Sequence, residues 1–122
     1  GETLSALEAR EAATRAEDPA LRRVLTKIAD DEQRHAELGW RFVQWALARL
    51  SEVDADARAR VDASFKAAIA EAERALAALA RGPGAPELRP HGVVDAPLRA
   101  ALWTEGLRAL VRPAADALRA AA

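Results

Sequence analysis

From Pro19 to Leu50 the sequence runs for some 30 residues in which Gly39 is the only backbone breaker after the opening proline. Alanine, leucine, arginine and glutamate dominate, and nothing alternates with period two for long enough to make a strand. The run therefore reads as one long α-helix, and a helix of that length obliges its neighbours to be helices that cover it. The expected fold class is all-α. Asp18 is placed to cap this helix and Pro19 to occupy its first turn, so the helical stretch from Glu2 to about Ala16 folds back on it as an antiparallel pair. Ser51 or Asp54 caps a third helix, about Asp54 to Arg81, with an apolar stripe of Val61, Phe65, Ala68, Ala72, Leu76 and Leu79. Gly82 to Val94 holds three glycines and three prolines and reads as a loop or linker. Asp95 and Pro97 restart a helix that Pro113 should interrupt or kink before the alanine-rich tail. The divisions are thus a helix pair over 1–50, a third helix over 51–81, a linker over 82–95 and a C-terminal helix with its tail over 96–122.

Composition narrows the partners. With 18 basic against 19 acidic side chains, no net field recruits nucleic acid or an anionic membrane. There is no cysteine, so any metal is held by oxygen and nitrogen ligands. No apolar run approaches the roughly 18 residues of a membrane span, and no signal peptide opens the chain. A cytoplasmic protein is expected. The absence of methionine marks residue 1 as something other than a translation start, so the chain reads as a fragment or a processed form.

Along the long helix, Leu21, Leu25, Ile28, Glu32, His35, Gly39, Phe42, Ala46 and Leu50 follow steps of three and four, which is one continuous face. Most charges fall off it, yet Glu32 and His35 lie on it. A buried carboxylate or imidazole needs a partner. Spaced i and i+3, the two side chains leave the same turn and reach the same cation, or satisfy each other as a hydrogen-bonded pair. On the first helix Glu2, Ala6, Ala9 and Ala13 form a small-residue face with a carboxylate at one end. Folding this helix back about Asp18 sets Glu2 level with Glu32, so Glu2, Glu32 and His35 are expected to converge. Glu8 and Glu11 are turned away by helical phase and read as solvated charges.

A lone glutamate followed about 30 residues later by Glu-x-x-His on the antiparallel helix resembles the ferritin-like diiron-carboxylate bundle of ferritins, rubrerythrins and encapsulated ferritins. The wording "GETLSALEAREAA…DPALRRVLTKIADDEQRHAELGWRFVQWAL" is similar to the C-terminal half of bacterial ferritin-like domain proteins. The resemblance covers about residues 1–50. It implies a ferritin-like antiparallel bundle, with Glu32 bridging two ions, His35 binding one terminally and Glu2 binding from the opposite helix. The implied cofactor is dinuclear Fe, with Mn or Zn able to take its place, and the implied activity is a ferroxidase or related oxidase reaction. Such a site needs the half-motif twice, and this chain carries it once. The resemblance therefore implies a homodimer, or a missing N-terminal half that supplies the other two helices. The contrasting expectation is a metal-free helical bundle serving as an interaction module.

Other residues carry less. His91, in the linker, reads as solvated, Glu105 as a surface charge, and Trp40, Trp45 and Trp103 as packing or interface residues. No nucleophile elbow or phosphate-binding glycine loop is present.

Overall fold

The computed structural model describes residues 1–50 and 52–121 and is all-helical, with no strand among the described residues. Helix α1 (Glu2–Arg15) and the long α2 (Pro19–Leu50) form the antiparallel hairpin. Asp18 closes the turn: its Oδ1 accepts from the backbone N–H groups of Ala20 and Leu21 at 2.7 and 3.0 Å. Those two N–H groups, Leu21's first, hold its carboxyl below the ordinary carboxylate range. The Arg22 guanidinium reaches back to the Ala16 carbonyl at the end of α1, at 2.7 and 2.9 Å.

Helix α3 (Ala57–Ala80) follows a turn in which Asp54 Oδ1 accepts from the Asp56 N–H at 2.9 Å. The alternative cap, Ser51, lies outside the described residues. Only Ala57 of α3 is buried, and the expected stripe from Val61 to Leu79 is half-buried except for the exposed Ala68. This helix lies along the others without being enclosed by them.

The glycine- and proline-rich stretch contains a 3-10 turn, Pro86–His91, that straps the hairpin's turn end. The Pro90 carbonyl accepts from the Glu17 N–H at 2.9 Å, and Gly92, at φ 79°, sits on Leu21 and Leu25. Only glycine takes that backbone angle without strain. Asp95, the sole buried charged side chain among the described residues, anchors the strap. Its carboxylate accepts from the Ala85 N–H at 2.7 Å, from the Arg89 guanidinium at 2.9–3.2 Å and from the Leu98 N–H at 3.2 Å, where it caps α4 (Ala96–Gly106). Arg89 foremost, then the Ala85 N–H, holds the Asp95 carboxyl below its ordinary value of 3.8.

Helix α4 crosses α1 closely at Gly106, where a Cβ would meet Leu7 Cδ1 at 2.5 Å and Leu4 Cδ2 at 2.8 Å. It runs through a π-helical segment, Leu107–Val111, into α5 (Arg112–Ala120). Pro113 lacks the N–H that would bond Ala109, and its ring would press on that carbonyl. The Arg112 N–H bonds Leu107 instead, so the expected interruption is a single wide turn with the helix continuing beyond it. Leu47, buried on α2, packs beside Val61, Phe65 and Leu118 and ties α2 to α3 and α5.

Two stability predictions follow from this packing. Leu47→Ala is expected to cost about 3 kcal/mol in urea denaturation, as truncating a buried leucine at a helix junction does. Because the Asp95 carboxyl is depressed in the folded protein, its contribution is present above about pH 4 and is lost as pH falls through the lower, folded-state value. Asp95→Asn should lower the urea midpoint at pH 7 and remove that part of the acid dependence. An unchanged pH profile in the variant would refute the assignment.

Candidate functional site

Helix α2 has two apolar faces, and the chain covers one of them. The covered face is Leu25, Ala29, Ala36, Trp40, Val43 and Leu47, buried or half-buried at steps of three, four and seven. Of the face expected from sequence to be the core, Leu21, Leu25, Glu32, Gly39 and Ala46 are half-buried, and its other edge, with Ile28, His35, Phe42 and Leu50, is exposed. There Val24, Ile28, His35 and Phe42 are exposed in line, flanked by exposed Leu38 and Trp45. Leu38, Phe42 and Trp45 are 66%, 60% and 57% exposed, and the Phe42 and Trp45 rings lie tilted against each other at 5.9 Å. His35 thus stands on this open face between apolar Val24 and Ile28 on one side and Leu38, Phe42 and Trp45 on the other, with Asp31 and its ion pairs to Lys27 and Arg34 beside it. Glu32, half-buried, lies at the border between the two faces.

The expected level of Glu2 is also displaced. Its Oε2 lies 3.6 Å from where a Cβ on Gly39 would stand, one turn past His35 and about 10 Å along α2 from Glu32. Glu32 instead borders a cleft with Ser5, Ala9 and Ala12 of α1. The hairpin is not level because the first turn of α2 overhangs the end of α1, where Arg22 clasps Ala16. Arg10 pairs with Asp30 at 2.7 Å and Trp40 Nε1 donates to Thr3 Oγ1 at 3.2 Å, consistent with the same offset. Among the described residues no three histidine, aspartate or glutamate side chains converge as a metal site. Glu32 and His35 remain together on one turn, and Glu2 stands apart from Glu32.

Glu8, read from sequence as solvated, is half-buried and paired. Arg99 Nε donates to its Oε2 at 2.9 Å, Trp103 Nε1 donates to its Oε1, and the Glu8 side chain is 20% exposed. The signal lay in the other helix: Arg99 and Trp103 stand four apart on α4 and present two donors to one acceptor. The other aromatics divide. Trp40 stacks on Phe65 with ring centroids 5.4 Å apart, as a packing residue does, whereas Trp45 is on the open stripe. His91 and Glu105 are exposed, as expected.

No helix among the described residues is long and apolar enough to cross a membrane. No family model, curated protein or solved structure matches the chain.

Glu8→Ala removes one charged acceptor from two donors and is expected to destabilise the fold by about 2 kcal/mol. Guanidinium titration of Glu8→Ala, Arg99→Met and the double variant checks it. Strictly additive losses would mean that Glu8 and Arg99 do not act as a pair.

Proposed function

We propose that α1 and α2 are one half of a ferritin-like carboxylate and imidazole metal centre, completed when a second copy of the chain seats its own α2 on the open stripe. The observation that carries this reading is the position of His35. An exposed imidazole set between Ile28 and Phe42 on an uncovered apolar face is at a seam, with Glu32 one turn away at its edge. Covering that face with the same face of another copy is an isologous contact, which doubles the Glu-x-x-His pair by symmetry. The donors at the seam would then be two glutamates and two histidines, Glu32 and His35 of each copy, and Glu2 would join them only by leaving its place beside Gly39. Oxygen and nitrogen donors of this kind suit Fe or Mn and also accept Zn. Bound iron would supply the redox chemistry, and the activity this reading implies is oxidation of Fe(II) by O₂ or peroxide. Glu32 and His35 would hold the metal, and the apolar flanks from Ile28 to Trp45 would keep bulk water out of the seam.

A metal-free interaction module is the second reading. It is favoured by the separation of Glu2 from Glu32 along α2, which leaves the ligand set incomplete within one chain. The stripe would then serve association alone.

A Co(II) titration followed by optical absorption, alongside sedimentation equilibrium, separates the two. The metal reading expects a dimer that binds near one Co(II) per chain, with binding lost in His35→Ala while the dimer persists. It expects Phe42→Glu to weaken association on the order of tenfold or more and metal binding with it. A dimer that binds no metal, or wild-type binding retained by His35→Ala, would leave the interaction module standing. A folded monomer that binds no metal would overturn the second-copy seam.

A further inference from the structure

A second feature of the molecule is an open apolar cleft of about 310 Å³ lined by the start of α1, the middle of α2, α3 and the π-helical segment. Its walls are Leu4, Trp40, Val43, Phe65, Ile69 and Val111. The Trp40 indole is held flat in the wall by its stack on Phe65 and by its N–H bond to Thr3. The space exists because Gly39, Ala36 and Ala72 project almost nothing into it, and because the wide turn before Pro113 sets Leu107 and Val111 along its edge. At its mouth stands the Glu2 carboxylate, which has no hydrogen bond or ion pair among the described residues.

These properties define an occupant. Apolar walls favour replacement of water by a hydrocarbon body, and a carboxylate beside them favours a cation that donates hydrogen bonds. An apolar cavity of about 150 Å³ suffices for benzene, so roughly twice that volume suits a body of about ten carbons. We propose that this cleft binds a primary-amine amphiphile with a hydrocarbon part of about ten carbons, its ammonium on Glu2 and its chain against Trp40 and Ile69. This site is on the covered side of α2, not on the open stripe, and needs no metal. Glu2 figures in both readings, so measurements made in chelator keep them separate.

The test is calorimetric titration with decylammonium, decanol and decanoate, each below its self-association concentration, at pH 7 with chelator present. The expected result is one decylammonium per chain, with decanol weaker and decanoate weakest. Glu2→Gln should weaken decylammonium about tenfold and leave decanol unchanged, because it removes the charge and keeps the walls. Gly39→Leu should abolish binding of both by filling the cleft, and Ala72→Leu, from the opposite wall, should do the same if the first variant fails to fold by circular dichroism. Decanoate binding as tightly as decylammonium in the wild type would overturn the proposal. So would a folded Ala72→Leu or Gly39→Leu protein that binds decylammonium normally, since the amphiphile would then lie on the exposed stripe.

Discussion

The Asp95 carboxylate is the interaction on which the arrangement of this bundle depends. Its side chain is 2% exposed, and it collects the Ala85 N–H, the Leu98 N–H and the Arg89 guanidinium at one point. Ala85 and Arg89 belong to the glycine- and proline-rich stretch, whereas the Leu98 N–H opens α4. Joining them converts a stretch rich in glycine and proline into a strap across the hairpin's turn, and it sets the direction in which α4 leaves. That direction brings Arg99 and Trp103 to Glu8 and lays Gly106 against Leu4 and Leu7. A buried charge is costly alone and tolerable when every lone pair is used, so the cluster specifies one geometry more than it adds net stability.

The two apolar faces of α2 divide the protein's tasks. One is consumed by α1 and α3 and makes the core, with Leu47 binding α5 to it. The other presents Ile28, His35, Phe42 and Trp45 to the outside, an apolar stripe larger than scattered surface leucines account for. Between α2's covered face and α3 the fit is loose, because alanines stand where larger side chains would close the gap, and that looseness is the apolar cleft. The open stripe and the cleft thus differ in origin: the first is surface of α2 that its neighbours leave exposed, the second a gap left by small side chains where α2 meets α3.

How much was legible in the sequence depends on the kind of signal. The long helix, the Asp18 turn, the restart at Asp95 and the effect of Pro113 were readable because each is decided by backbone chemistry within a few residues: capping oxygens, a fixed φ, a missing N–H. The orientation of α2 was not. A stripe at steps of three and four can be drawn through Ile28, His35 and Phe42 or through Ala29, Ala36 and Val43, and helical periodicity alone does not rank them. The level of Glu2 was missed for a related reason. Counting residues from a turn assumes the two helices start together, and an overhang of the first turn shifts every facing pair. Glu8 was missed because its partners lie some 90 residues away on α4.

By itself, then, the sequence determined that this protein is built of helices, where most of them begin and end, and that a glutamate and a histidine share one turn of the longest. Those are local properties, set by each residue's own conformational and hydrogen-bonding preferences. Only the tertiary structure decided which face of α2 is covered, that Glu2 meets Gly39 and stands apart from Glu32, and that Glu8 is a half-buried partner of Arg99 and Trp103. Those outcomes depend on how helices distant in sequence compete for the same apolar surface, and that competition is settled by packing and by the few buried polar groups that must find partners.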